Sequence, residues 1–211
     1  RPVIESLAKA SGSYVIVSAS GSTTDSALIN RRGAMREALE GIADADKLLT
    51  EFYDRTRLAS WVRLHPGLIA WVKERIGRAM HGWRPYGFWS GSNGADNDTY
   101  LIDDALRLNF GGENADEEQT VIAGIDRVRD QLAENGAMVR LVGLSGVGKT
   151  RFAQALFEKT IGSRPLDTSA VVYTNLSDSP DPQPPTLLSD LLASRKAAIL
   201  VIDNCPPDLH R

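Results

Sequence analysis

The sequence predicts an α/β chain whose strands run mainly in parallel. Three observations lead to this class: apolar runs alternate with amphipathic stretches over residues 14–63, an apolar run at 138–142 opens into a glycine-rich turn, and a further apolar run at 197–203 ends in Asp203. Strands separated by helices are typical of parallel sheets, because the crossover helix returns the chain to the same end of the sheet.

The composition is that of a globular protein. Of 211 residues, 42% are apolar and 24% are charged, which is ordinary usage for a folded domain. No apolar run approaches the roughly 18 residues needed to cross a bilayer, and no signal peptide is visible, so we expect a cytoplasmic location and no membrane partner. The lone cysteine, Cys205, excludes an internal disulfide framework and a cysteine-rich zinc site.

Charge is unevenly distributed along the chain. Residues 1–90 carry 13 Lys/Arg and 9 Asp/Glu, whereas residues 91–211 carry 11 and 18. The mildly basic first part is compatible with contact with nucleic acid, but we favour solvated surface charge as the simpler explanation. The sequence starts without a methionine and stops eight residues after the last apolar run, and we expect both ends to be cuts through a longer protein.

Residues 1–66 are predicted to form a partial α/β domain. Its elements alternate in type along the chain: a helix over 2–10, a buried strand over 14–17, a helix over 26–40, a strand over 48–53 and a helix from residue 57. The loop at 18–25 is polar and rich in side chains that cap helices.

This order resembles the closing half of an Mrr-like restriction endonuclease domain of the PD-(D/E)xK type. The residues that carry the resemblance are 14–21 (YVIVSASG) and 49–58 (LTEFYDRTRL). In that family the metal-binding aspartate and the (D/E/Q)-x-Lys pair lie upstream of these elements, so the resemblance implies no catalytic nuclease residue within this sequence. A generic α/β layer that only packs or oligomerises is the alternative interpretation.

Residues 67–116 are predicted to be an aromatic-rich connector and linker. Pro85 and the glycines near it argue against a regular helix over 82–89. The clustered tryptophans are more typical of a compact plug than of a surface that stacks on bases. Stretches rich in Gly, Asn and Asp at 90–98 and 110–116 indicate a linker and the domain boundary.

Residues 117–211 are predicted to form a second α/β domain. Its elements are a helix over 117–134, a buried strand over 138–142, a helix from 150 to about 160, a strand over 170–173, a helix around 187–192 and a strand over 197–203. The first helix is the clearest in the chain, because its apolar residues recur with helical spacing and Asn135-Gly136 supplies a stop signal.

The turn after residues 138–142 matches the phosphate-binding pattern G-x-x-x-x-G-K-[ST] (Walker A) without a departure. Its glycines allow the backbone to wrap around a polyphosphate with N–H groups pointing inward. Lys149 would reach the β- and γ-phosphates, and the Thr150 hydroxyl would hold Mg²⁺. We therefore predict ATP and Mg²⁺ as cofactors, bound by Gly143, Leu144, Ser145, Gly146, Val147, Gly148, Lys149, Thr150 and Arg151. For Arg151 a role in solvent is equally consistent with the sequence.

Asp203 closes the last apolar run, which is the form of a Walker B motif. An unpaired carboxylate at the end of a buried strand is costly, and contact with Mg²⁺, direct or through water, would satisfy it. Capping of the next turn is the alternative. We predict Lys149 and Asp203 as catalytic residues, and Thr150 and Asp203 as metal ligands.

The combination of residues 117–203 resembles a STAND-type NTPase, the class that includes NB-ARC and NACHT proteins. Many bacterial antiphage proteins place such a module after an N-terminal nuclease effector. The resemblance implies a truncated P-loop NTPase parallel sheet preceded by a partial restriction-endonuclease-like α/β domain. It also implies ATP binding, self-association, and contact with DNA through the effector.

Asn204 departs from the pattern of many STAND and AAA proteins, which carry an acidic residue directly after the Walker B aspartate. An amide cannot act as a base, so slow hydrolysis or a binding switch is favoured over rapid turnover. An AAA-type remodelling or DNA-loading ATPase and a nucleotide-binding scaffold remain as alternative functions.

We expect the purified chain to leave plasmid DNA intact in the presence of Mg²⁺, because the carboxylate and lysine set of a PD-(D/E)xK nuclease is not among its residues. Incubation with supercoiled plasmid, followed by gel electrophoresis, measures relaxation and linearisation. Metal-dependent cleavage by homogeneous protein would contradict this interpretation.

Overall fold

A computed structural model of the chain describes residues 2–91, 105–111 and 118–206. The helices in these ranges are α1 (Pro2–Lys9), α2 (Asp25–Glu37), α3 (Arg55–Val62), α4 (Pro66–Arg75), α5 (Tyr86–Gly91), α6 (Val121–Leu132), α7 (Lys149–Ala155) and α8 (Pro184–Ala193). The strands are β1 (Ser13–Ser18), β2 (Leu49–Asp54), β3 (Trp83–Pro85), β4 (Arg107–Asn109), β5 (Glu118–Thr120), β6 (Val171–Asn175) and β7 (Ile199–Asp203).

Two units make up the chain, residues 1–64 and residues 65–211. The described part of the segment assigned to a connector, 67–116, falls in the second unit. The predicted linker at 90–98 lies almost entirely outside the described residues, as does most of the boundary predicted at 110–116.

In the first unit, β1 and β2 pair in parallel from Ser13↔Leu49 to Ser18↔Asp54, which confirms the predicted direction. Helix α2 covers one face of this pair with buried Leu28 and Met35, which pack together with Phe52 of β2. The strand predicted over 14–17 is present as β1, but the prediction that it is buried is wrong. Its residues alternate between exposed and half-buried positions, since Tyr14 and Ile16, on one face of the strand, pack against the buried clusters of this unit.

Asp54 ties the end of β2 to the loop before α2. Its carboxylate is fully buried and accepts hydrogen bonds from the backbone N–H and hydroxyl of Thr23, at 2.7 and 2.8 Å, and from the backbone N–H and guanidinium of Arg57, both at 2.8 Å. The N–H donors of Arg57 and Thr23 hold the pKa of Asp54 well below its usual range. The polar loop is thereby fixed against the N-terminus of α3.

The second unit is built around the sheet β3-β6-β7, in which β3 is antiparallel to β6 and β6 is parallel to β7. Helices α5, α6 and α7 contribute to the core on one face, which includes Val171 and Tyr173 of β6. Helices α4 and α8 pack on the other face, where Val172 is buried. Successive residues of β6 therefore face opposite helical layers. A separate antiparallel pair, β4 and β5, precedes α6.

Residues 138–142 do not form the predicted buried strand. Met138 is 83% exposed and Val142 is 78% exposed, and in the described part of the chain no strand pairs with this segment. A strand depends on backbone partners from elsewhere in the chain, and apolar composition alone does not supply them. The prediction of a strand at this position is wrong.

Two helix boundaries also differ from the prediction. Helix α6 begins at Val121 rather than at 117, because the hydroxyl of Thr120 accepts a hydrogen bond from Ala123 N and caps the helix after β5. The helix after the glycine-rich turn ends at Ala155 rather than near 160.

The segment 82–89 contains a short helix that was not expected. Pro85 lies at the end of β3, before α5 begins at Tyr86, so its missing N–H interrupts no helical hydrogen bond. This aromatic-rich segment therefore consists of the edge strand β3 followed by helix α5.

These observations confirm an α/β chain at the level of small parallel and antiparallel sheets packed with helices. Among the described helices, none combines the length and the apolar character needed to cross a membrane.

We predict that Asp54→Ala lowers the melting temperature by about 5 °C at pH 7, since it removes a helix cap and the buried partner of Arg57. A depressed pKa means that the carboxylate stabilises the fold above the unfolded value, about pH 4, and that this contribution is lost as the pH falls further. The difference from wild type should therefore shrink at pH 3. Thermal unfolding followed by circular dichroism measures both effects.

Asp25→Ala is the matched control, because Asp25 contacts the same guanidinium at 2.8 Å while its side chain is 93% exposed. This variant should melt within about 2 °C of wild type. Equal effects of the two substitutions would show that burial of Asp54 contributes nothing.

Candidate functional site

The turn between residues 143 and 150 depends on two glycines with positive φ. Gly146 has φ +82° and Gly148 has φ +89°, a region that residues with a side chain rarely adopt. Gly148 is also the residue that precedes the first turn of α7. The sequence therefore folds locally into a tight backbone loop that leads directly into a helix, as the motif predicts.

The ammonium group of Lys149 lies over this loop. Its Nζ donates hydrogen bonds to the carbonyl oxygens of Gly143, at 2.9 Å, and Leu144, at 2.7 Å. An ammonium group has three protons, so one remains for a further acceptor. A cationic donor is thus held against the backbone at the start of the loop.

Thr150 and Asp203 are brought into direct contact. The Thr150 hydroxyl donates to Asp203 Oδ2 at 2.7 Å, although the two residues are 53 positions apart. Asp203 Oδ1 accepts from the backbone N–H of Asn204 at 2.9 Å. The end of β7 and the first turn of α7 therefore meet in one polar cluster.

The other predicted site residues contribute differently. The side chains of Leu144 and Val147 are exposed, at 80% and 49%, and the Ser145 side chain lies in the same exposed turn. These residues would act through their backbone. The guanidinium of Arg151 donates to Gln154 Oε1 at 3.2 Å on the same helix, so its predicted contact with phosphate stays a prediction.

Tyr173 belongs to this polar cluster but was not identified from the sequence. Its hydroxyl donates to Asp203 Oδ2 at 3.3 Å. Burial, together with the nearby negative charge of Asp203, raises the pKa of Tyr173 to about 12, so the phenol is a protonated donor at neutral pH. An aromatic residue in an apolar strand gives no sign of such a role. In the sheet Tyr173 pairs with Val201, two residues before Asp203.

Asn204 is held by the neighbouring strand. Its Nδ2 donates to Asn175 Oδ1 at 3.0 Å, and Asn175 lies directly beside Asp203 in the β6–β7 register. Position 204 is thus occupied by an amide that is engaged with a second amide.

Arg129 on α6 anchors the far end of α7. Its guanidinium is buried and donates to the carbonyl oxygens of five residues, at distances between 2.6 and 2.9 Å: Ala155, Leu156, Glu158, Ile161 and Ser163. These carbonyls lie at and just beyond the end of α7. Those of Ala155 and Leu156 also accept backbone N–H groups, from Glu158 and Leu166, and the guanidinium adds donors to the whole set. The sequence signal was a charge beside Val128 on the apolar face of α6, and it was overlooked.

The oxygen atoms of Thr150 and Asp203 suit Mg²⁺, which also binds water and phosphate, better than a metal whose ligands all come from the protein. Within the described ranges no three His, Cys, Asp or Glu side chains cluster as a metal site. A hydroxyl and a carboxylate in contact are hard oxygen ligands, and Mg²⁺ typically takes one or two such groups and completes its shell with water and phosphate oxygens. Thr150 can donate its proton to Asp203 and still offer a lone pair to a cation.

Comparison with known proteins identifies no relative: no family model matches the chain, and no curated protein or solved structure is significantly similar to it.

We predict that Arg129→Met destabilises the protein by about 3 kcal/mol, because the carbonyl oxygens around the end of α7 lose a buried charged donor. Methionine keeps much of the apolar volume, so the loss should come from hydrogen bonds and not from a cavity. Urea denaturation followed by tryptophan fluorescence measures the free energy of unfolding.

Arg127→Met serves as the comparison, since Arg127 is exposed on the same helix and its guanidinium lies 4.2 Å from the centre of the Phe110 ring. Its loss should cost less than about 1 kcal/mol. An Arg129 variant no less stable than the Arg127 variant would show that the buried hydrogen bonds are not needed.

Proposed function

We propose that residues 65–211 act as a Mg²⁺-dependent ATP-binding module of the regulatory P-loop type, with a STAND-like switching role. The observation that carries this proposal is the 2.7 Å contact between the Thr150 hydroxyl and the Asp203 carboxylate. Phosphoryl-binding sites of the P-loop class combine a threonine from the loop with an aspartate at the end of a buried strand. The contact supports a shared role for two motifs that are distant in sequence.

Phosphate would be held mainly by backbone groups and by Lys149. The loop from Gly143 to Gly148 has the positive-φ glycines that a wrapped backbone requires. The ammonium protons that now point to loop carbonyls are the donors that phosphate oxygens would attract, and charge-assisted hydrogen bonds of this kind are the stronger ones.

Magnesium would be held by Thr150 and Asp203. When bound, Mg²⁺ neutralises negative charge on the β- and γ-phosphate oxygens. Tyr173 and Asn204 already donate to Asp203, one to each oxygen, so the carboxylate is oriented by the protein itself.

The environment of Asn204 favours a binding switch over rapid hydrolysis. Its side-chain amide contacts Asn175 at 3.0 Å and has no basic lone pair with which to accept a proton from water. ATP occupancy, rather than fast turnover, would then distinguish the two states of the module.

Residues 1–64 would contribute to the effector that such a switch controls. The parallel pair of β1 and β2 and the polar loop fixed by Asp54 support the proposed likeness to the closing half of an Mrr-like domain. In this scheme DNA would be a partner of the effector, and copies of the protein would associate when the module is loaded with nucleotide.

We predict that Lys149→Ala weakens Mg²⁺-ATP binding by at least about a hundredfold, because a charge-assisted contact with phosphate is lost. Isothermal titration calorimetry measures the affinity, and circular dichroism checks that the fold is intact. Lys159→Ala is the matched control, since this lysine is exposed and lies beyond the end of α7. Equal ATP affinity in wild type and Lys149→Ala would refute the phosphate site.

A further inference from the structure

Tyr173 connects the candidate magnesium ligands to a buried aromatic cluster. Its hydroxyl donates to Asp203 Oδ2, the same oxygen that accepts the Thr150 hydroxyl. Its ring stacks on Trp89 with the ring centres 4.6 Å apart and the planes 10° from parallel. Both rings are almost completely buried, with 6% of Tyr173 and 2% of Trp89 exposed. The phenol therefore has little freedom to move away from the carboxylate.

Trp89 is itself fixed from several directions. Phe157 meets its ring edge to face at 6.3 Å, and Tyr86 does so at 5.8 Å. The backbone carbonyl of Trp89 accepts a hydrogen bond from Gln154 Nε2 on α7 at 3.3 Å. Helix α7, which follows the glycine-rich loop, and strand β6, which carries Tyr173, thus both contact Trp89.

The hydrogen bonds of Asp203 leave its carboxylate a single well-satisfied orientation. Oδ1 is taken by the N–H of Asn204, while Oδ2 is shared by Thr150 and Tyr173. Without the phenol, rotation of the carboxylate would break only two hydrogen bonds, those from the Thr150 hydroxyl and from the backbone N–H of Asn204. Groups that orient a metal ligand in this way typically alter metal affinity by about ten- to a hundredfold.

We propose that Tyr173 is a positioning residue of the magnesium site, which holds Asp203 towards Thr150 through its hydroxyl and is itself held by its stack on Trp89. This inference rests on the proposed function, since it concerns the Mg²⁺-dependent part of ATP binding. Tyr173 lies outside both the glycine-rich loop and the apolar run that ends in Asp203, so the inference adds a residue that neither motif contains.

Tyr173→Phe tests the inference, because it keeps the stacked ring and removes only the hydroxyl. ATP affinity of the full chain is measured by calorimetry in Mg²⁺ and again in EDTA. We expect the affinity in Mg²⁺ to fall about tenfold, whereas the affinity in EDTA, which reports the contacts made without the metal, stays within about twofold of wild type.

Tyr86→Phe is the matched control. It removes a hydroxyl from the same aromatic cluster, but that hydroxyl donates to Glu158 Oε1 at 2.6 Å and does not contact Asp203. Its ratio of affinities with and without Mg²⁺ should equal that of wild type.

The outcomes separate the two proposals. A wild-type ratio in Tyr173→Phe, or an equal loss in Mg²⁺ and in EDTA, would overturn the positioning role while leaving the nucleotide site in place. A wild-type chain that binds no ATP in either condition would reject the proposed function, and the inference would fall with it.

Discussion

The hydrogen bond between Thr150 and Asp203 is the contact on which the candidate site depends. It joins the first turn of α7 to the last residue of β7. Each of these two elements is fixed by further contacts. Arg129 fixes the end of α7, and parallel pairing with β6 fixes β7. The contact therefore depends on the packing of the second unit, because a shift of either element by an ångström would break a 2.7 Å hydrogen bond.

Local sequence patterns were enough to predict part of this arrangement. The apolar runs that become β1, β2 and β7, and the glycines that bend the loop before Lys149, are recognisable without knowledge of their neighbours. The parallel direction of β1 and β2 could also be predicted, since a helix lies between the two strands in the sequence. These features depend on residues that are close together in the chain.

The features that were not predicted depend on distant partners. Residues 138–142 have strand composition, yet a strand forms only where another backbone completes its hydrogen bonds. The role of Arg129 could not be predicted, because its acceptors lie 26 to 34 residues further along the chain. The role of Tyr173 could not be predicted either, since it depends on a carboxylate 30 residues away.

The two ends of α7 differ in mechanical freedom. Its final carbonyls are clamped by the Arg129 guanidinium, whereas its first residue follows a loop whose glycines can rotate with little steric resistance. A pull on the loop would therefore tilt the helix about its far end and not displace it as a whole. The hydrogen bond between Thr150 and Asp203, in the first turn of the helix, would be the first contact to register that tilt.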